Sequence, residues 1–397
     1  MGELYSRRSF LAGALTAGML STAASFLLTR RESITLTLAT GVDDSAGGRG
    51  QLITMWNELN PDTQIKPLLI NSTTQDQYDK FSQSPADIFN LDVIHIPRFA
   101  AEGRIKPIKP GNDISLLPPL KRLCAFDDSD TEFWAAPWNA DVGMLYRRVT
   151  DRNSSGGEPT LKTMLNAPPG QFVGQLETVG SQTDEAFVIN VLEHALAQDD
   201  AILDTDGVVS TNLGQWAEAL SPLREAVRRK RVVTEAGEAG TILTYERKNL
   251  RYMRNWPVYF PAVDHSERED PGTFEITLGR LPIGIIGGQG LAVSAHSRHR
   301  SEAQRAIHFL TDTPAQKLLA TYGFAPTGVD AYIDAGVQEA RPELSLVRFA
   351  VEQSRPRPIH QGYAAFSDAL KRHVHDFLYT DRELSPQFVE DMKAALR

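Results

Sequence analysis

The chain has a single cysteine, Cys124, among 397 residues. One thiol cannot close an intramolecular disulfide or supply a CxxC metal or redox pair. No cysteine follows the apolar N-terminal run, so a lipid anchor there is excluded as well. Cys124 is read as a small core residue. Basic charge is also short: 41 Lys and Arg stand against 50 Asp and Glu, a formal net charge of -9. A folded binder of phosphate backbones carries a basic stripe. The densest basic run here, residues 228–231, reads as the solvated end of a helix, so no nucleic-acid partner is expected. Internal repeats and low-complexity segments are missing. So are the HExxH and GxSxG spacings. His373 and His375 lie two apart on a helix and face different ways, a poor metal pair. The GGQG at 287–290 lacks the spacing and lysine of a phosphate loop. No cofactor and no metal are expected, and no catalytic residue is singled out.

The N-terminus reads as an export address. Arg7 and Arg8 stand directly before an uncharged run, residues 9–29, the pattern of a secretory signal of the twin-arginine type. Cleavage near Ser21, Thr22, Ala23 and Ala24 is the expectation. Retention as a membrane anchor stays open, because the run approaches the ~20 residues that cross a bilayer. In either case the protein works outside the cytoplasm, at the outer face of the membrane, in a periplasm or beyond, and meets the membrane only through residues 1–32.

The remaining length exceeds what one core usually serves, so two lobes are expected. Strand and helix patterns alternate, which makes the fold class α/β with a largely parallel sheet. Ile34, Leu36 and Leu38 alternate as a strand; Leu52, Ile53, Trp56 and Leu59 keep a helical period that Asn60 and Pro61 end. Further strands are expected at residues 65–70 and 88–96, and at 281–286 and 291–295 around a glycine turn of Gly287, Gly288 and Gly290. Ser301 with Gln304 reads as a capping box.

In this order the pieces resemble the extracellular solute-binding proteins of ABC importers, in their carbohydrate-binding branch. The likeness spans nearly all of residues 34–397 and rests on six segments in sequence: ITLTLATG, the helix ending NP, PADIFNLDVIHIPRFAAEGRIKPI, FWAAPWNADVGMLYRR, the block from PIGIIGGQG to GFAPTG, and SRPRPIHQGYAAFSDALKRHVHDFL. The resemblance implies a type II periplasmic-binding-protein fold, two α/β lobes with a hinge and a ligand cleft between them. It divides the chain into lobe 1 (33–140 plus 283–313) and lobe 2 (141–282 plus 314–397), with crossovers near 140–144, 281–282 and 312–314. It also implies a monomer that engages ABC permease subunits.

The cleft residues follow from chemistry. A sugar presents apolar C–H faces and a rim of hydroxyls, so its site needs flat aromatics together with paired carboxylates and amides. Trp138, Asn139 and Asp141 follow Pro137 at the first crossover, and Asp92 ends an apolar stretch. Trp256 and Tyr259 lie in RNWPVYFP, where prolines break a helix. Gly288 and Gln289 follow a strand; Tyr363 is a rim candidate, and Asp44 lies in the loop after the first strand. The function these imply is capture of a small solute, a sugar or oligosaccharide, by lobe closure and its delivery to an importer. Two alternatives stay open: a membrane-tethered sensor not coupled to transport, and an exported glycoside hydrolase, since carboxylates and tryptophans in a cleft also serve hydrolysis.

Overall fold

The computed structural model describes residues 33–43, 47–70, 74–109, 111, 115–125, 131–150, 158–177, 185–270, 272–273 and 275–397. The N-terminal signal read at residues 1–32 and the site candidate Asp44 lie outside the described residues. Among the described residues, no helix is long and apolar enough to cross a membrane.

The chain first runs through β1 (Ile34–Thr40), α1 (Gly48–Leu59), β2 (Thr63–Leu69), α2 (Thr74–Ser82), β3 (Ile88–Asp92), α3 (Ile96–Ala101), β4 (Ile105–Lys106), α4 (Pro118–Cys124) and β5 (Ala136–Val142). Strand β1 pairs in parallel with both β2 and β3. Its alternation places Leu36 and Leu38 in the core, as a period of two requires. Helix α1 buries Leu52, Ile53 and Trp56 and leaves Leu59 outside. Its C-cap, Asn60, has φ -128° and closes the helix without a left-handed turn, with Pro61 next.

The second sheet comes from β6 (Met144–Val149), α5 (Leu161–Leu165), β7 (Phe172–Gln175), α6 (Glu185–Leu196), α7 (Leu213–Arg228), β8 (Val232–Glu235), α8 (Glu238–Arg247), β9 (Tyr252–Asn255), α9 (Phe260–Arg268) and β10 (Glu275–Arg280). Its strand order is β10-β6-β9-β7-β8. Helix α6 is buried along its whole length and packs on α7, β7 and the first sheet's β11 (Ile285–Ser294). Its buried polar groups are partly paired within the protein: Asn190 donates to Gln175 Oε1 at 2.9 Å and its carbonyl contacts His194 Nδ1 at 2.6 Å.

Strand β11 returns to the first sheet and pairs antiparallel with β3 and β5. It is one continuous strand where two strands and a glycine turn were expected. The glycines serve close packing within the sheet. Gly288 has φ +127°, and a Cβ there would run into the Asn139 carbonyl oxygen. Next come α10 (Arg300–Thr311), α11 (Thr313–Thr321), α12 (Val329–Tyr332), α13 (Ala335–Ala340), α14 (Leu344–Glu352) and β12 (Arg355–Pro356). The expected Ser301 cap is not used. Helix α10 starts at Arg300, and Ser297 organises the preceding turn, accepting from the His299 amide at 3.1 Å and donating to Asp87 at 2.6 Å. Helix α11 is capped by Asp312, which accepts from the Ala315 amide at 2.8 Å.

The chain passes from the first sheet to the second at Gly143 and back at residues 281–284. The third passage differs. Helix α11, expected to begin the return to lobe 2 at residues 312–314, packs instead on α1 and β5 of the first sheet. Strand β12 still pairs with β11, and only then do α15 (Tyr363–Tyr379) and α16 (Pro386–Ala395) join the second lobe, α15 on α6 and both on α7. The reason is packing: Ala315, Leu319 and Ala320 present a small-residue apolar face that fills the first lobe's core.

Candidate functional site

A cleft of about 370 Å³ opens between the sheets. The first lobe contributes Arg49 at the start of α1, Gln77, Asp92 at the end of β3, Asn139 and Asp141 on β5, Gly287 to Gln289 on β11, and Phe324. The second contributes Glu185 and Ile189 on α6, Glu238 at the start of α8, Trp256 and Tyr259. Arg357, in the third passage, completes the lining. Strand ends and helix starts converge here because the sheets face each other along these edges, the usual location of crevices in open α/β sheets.

On the first lobe, Arg49 is the organising group. It is buried, donates to Asn139 Oδ1 at 2.7 Å and to Gln289 Oε1, and lies 4.5 Å from the ring centroids of both Trp138 and Phe324. Asn90 Nδ2 also donates to Gln289 Oε1, at 3.0 Å. The Gln289 carboxamide oxygen is thus engaged twice. Asn139, its oxygen held by Arg49, donates to Asp141 Oδ2 at 3.3 Å. Donor and acceptor directions along this edge are thereby set.

Arg357 joins the two lobes. One guanidinium nitrogen lies 3.3 Å from Asp92 Oδ1 and the other 3.1 Å from Glu185 Oε1. Glu185 also accepts from the Tyr363 hydroxyl and, at 2.9 Å, from Ser367. Burial works against the Arg357 charge, yet Tyr363, Asp92 and Glu185 raise its pKa above the ordinary arginine value. Burial and then the Glu185 carboxylate push the Tyr363 phenol well above its usual range, so it stays a donor.

On the second lobe, Trp256 presents a half-buried ring. Its indole N–H donates to Glu238 Oε1 at 2.8 Å, its amide donates to Asn255 Oδ1 at 2.9 Å, and its carbonyl accepts from the Tyr146 hydroxyl at 2.5 Å. Three fixed points leave the ring little freedom. Tyr259 follows in the short 3-10 turn Pro257–Tyr259.

The cleft therefore gathers seven of the ten residues expected there: Asp92, Asn139, Asp141, Trp256, Tyr259, Gly288 and Gln289. Trp138 and Tyr363 do not line it. Trp138 is only 1% exposed and carries Arg49 on its face, while Tyr363, 2% exposed, stands behind Glu185. Sequence reading missed Arg49, Gln77, Glu185, Glu238, Phe324 and Arg357. Glu185 left one trace, a carboxylate directly before the apolar run AFVI at the start of a helical pattern; the others left none. Among the described residues no group of three His, Cys, Asp or Glu is placed to hold a metal ion. What the cleft offers is hydrogen-bond donors and acceptors beside an aromatic face.

No protein-family profile matches the sequence. A curated relative from Deinococcus radiodurans, described as a probable ABC transporter-binding protein, is 27% identical over 278 residues, covering 62% of this chain and 64% of the relative. The match thus spans less than two thirds of that relative's length. Among solved structures, maltose-bound T. maritima MalE3 superposes with a TM-score of 0.75 at 20% identity, over 91% of this chain and 99% of that one. The GacH receptor of Streptomyces glaucescens, solved unliganded and with acarbose, gives 0.75 at 14% identity, over 92% and 98%. A solute-binding protein of Agrobacterium radiobacter K84 in complex with ribitol gives 0.72 at 17% identity, over 91% and 98%. With two facing α/β lobes joined by three passages of chain, the protein has the type II periplasmic-binding-protein fold.

Proposed function

We propose that this chain is an exported solute-binding protein that captures a small polyhydroxylated solute, a sugar or polyol, between its lobes and delivers it to an ABC importer. The observation that carries this reading is the make-up of the cleft. Asp92, Asn139, Asp141 and Gln289 stand on one lobe, and Glu185, Glu238, Trp256 and Tyr259 face them from the other. A ring beside oriented amides and carboxylates matches a solute whose hydroxyls each donate and accept. Contributions from both lobes mean that a docked solute favours the closed arrangement, and only such a differential preference shifts a closure equilibrium. The maltose, acarbose and ribitol held by structures of this fold, and the transporter assignment of the Deinococcus relative, support the same reading.

The test is a thermal-shift screen of the purified protein against maltose, acarbose, ribitol, D-mannitol and D-tagatose, with amino acids as controls. A solute that binds only the folded state at 100 times its Kd stabilises it by about 2.7 kcal/mol, a rise of several degrees. A rise with one carbohydrate or polyol is the expected outcome. No rise with any of them, or a rise with amino acids alone, overturns the reading, and consumption of the saccharide would turn it into a hydrolase.

A further inference from the structure

The charges lining the cleft do not balance. Among the described residues, the four carboxylates of Asp92, Asp141, Glu185 and Glu238 meet the two guanidinium groups of Arg49 and Arg357, and no lysine lines the cleft. The surplus has a location. Arg49 and Asp141 lie at either end of Asn139, which accepts from the first at 2.7 Å and donates to the second at 3.3 Å, so these two charges offset each other. Arg357 is shared: Nη2 is 3.3 Å from Asp92 Oδ1 and Nη1 is 3.1 Å from Glu185 Oε1, one positive charge between two negative ones. Glu238 has no cation within ion-pair distance among the described residues; its Oε1 accepts from the Trp256 indole N–H at 2.8 Å.

These carboxylates differ in what they have left to offer. Glu185 is fully engaged, since its oxygens also accept from the Tyr363 hydroxyl and from Ser367. Asp92 and Glu238 are partly exposed. The Ile94 amide and Arg357 both donate to Asp92 Oδ1, so Asp92 Oδ2 and Glu238 Oε2 remain without a hydrogen-bond partner among the described residues. One stands on the first lobe and the other on the second. Closure on a solute removes water from both, and unmatched charge in a drier site is costly. Glu185 and Glu238 open α6 and α8. The N-termini of these helices, about half a positive charge each, offset part of the surplus and leave roughly one full negative charge. Among the described residues no three carboxylates are grouped to hold a metal ion, so the balancing charge falls to the solute.

We propose that the solute is cationic, a sugar or polyol bearing a protonated amine, and that Glu238 and Asp92 select it. The inference rests on the reading of the cleft as the solute site and narrows its solute class. A carboxylate beside an aromatic face is a pairing that holds an ammonium group, and Glu238 stands at the edge of the Trp256 ring. Asp92 lies on the other lobe, so attraction for the cation rises as the lobes close, which is the preference that drives closure. A carboxylated or phosphorylated sugar adds a like charge and is rejected.

The test is titration calorimetry on the purified protein with two matched sets of solutes at pH 6, where the amines carry a proton: glucose, glucosamine and glucuronate, then glucitol, N-methylglucamine and gluconate. In at least one set the amine should bind at least tenfold tighter than its neutral counterpart, with the acid weakest. Glu238→Gln keeps an oxygen for the Trp256 N–H and loses the charge, and it should cut the amine-to-neutral ratio at least threefold. Asp92→Asn should act in the same direction, and it carries the test if Glu238→Gln does not fold. A residue with only a structural role would weaken every member of a set alike and leave the ratio in place. A neutral member binding as tightly as its amine, or the acid binding tightest, overturns the inference while the cleft stands as a solute site. So does a ratio unchanged in both variants. Binding of none of the six while the thermal screen finds a neutral sugar or polyol also overturns the inference alone; binding of none with a silent screen overturns both readings.

Discussion

The Arg49 guanidinium lies face-on to the Trp138 indole, its central carbon 4.5 Å from the ring centroid. The tryptophan next to the first passage thus serves as a platform for a cation of the protein itself, and that cation sets the orientation of Asn139 and Gln289. Arg49→Met should keep the stacking volume and lose both hydrogen bonds. Solute affinity should fall at least tenfold, and stability by about 1–3 kcal/mol from the unsatisfied buried amides. Titration calorimetry with the solute found by the thermal screen and urea denaturation check the two numbers.

Trp256→Ala should weaken solute binding at least tenfold while the protein still unfolds in one cooperative transition. The ring is half-buried at the cleft, and its loss removes the flat face against which C–H groups pack. Asp141→Ala should act in the same direction. Unchanged affinity in both variants would move the site elsewhere.

Gly288→Ala should be costly for stability and binding together. At φ +127° an alanine is strained, and its methyl group would collide with the Asn139 carbonyl. The strain alone is on the order of 1–3 kcal/mol. Urea denaturation reads the loss; a change below 0.5 kcal/mol would mean β11 can shift away from β5 at no cost, with ~0.5 kcal/mol the usual scatter of surface substitutions.

His194 makes the protein acid-sensitive. Burial, the largest cause, lowers its pKa from 6.5 to about 4, and the Arg254 charge adds to the shift. The folded state therefore disfavours the proton that the unfolded chain accepts. Stability from this group is complete above pH 6.5 and is lost as pH falls from there towards 4, by about 3 kcal/mol at most. His194→Leu should flatten the stability profile between pH 6.5 and 4, measured by denaturant midpoints at each pH.

Cys124 should be silent in the folded protein. Burial pushes its thiol pKa up to about 12, so the thiolate that reacts is absent near neutral pH. A disulfide reagent at pH 8 should label no thiol in the native protein and one per chain in guanidinium chloride.

Local chemistry made much of this architecture legible in the sequence. The alternation of Ile34, Leu36 and Leu38, the helical spacing of Leu52, Ile53 and Trp56, and the order of such segments identify an α/β chain, because period and burial are coupled by backbone geometry alone. Aromatic and amide residues beside strand ends marked most of the cleft for the same reason. The glycines of β11 misled, since a glycine cluster reads as a turn whether it bends the chain or admits a neighbouring strand.

Composition and patterning by themselves determined the α/β class, the lack of disulfide chemistry, and most of the cleft residues on β3, β5 and β11. Tertiary structure alone decided which side of the cleft wall each aromatic occupies, so that Trp256 faces the opening while Trp138 lies beneath Arg49. It alone brought Arg357 between Asp92 and Glu185, 265 and 172 positions away along the chain. It also kept α11 on the first lobe. The physical reason is that these outcomes depend on pairing between groups distant in sequence, whose Coulombic and packing energies exist only once both lobes have folded and their edges meet.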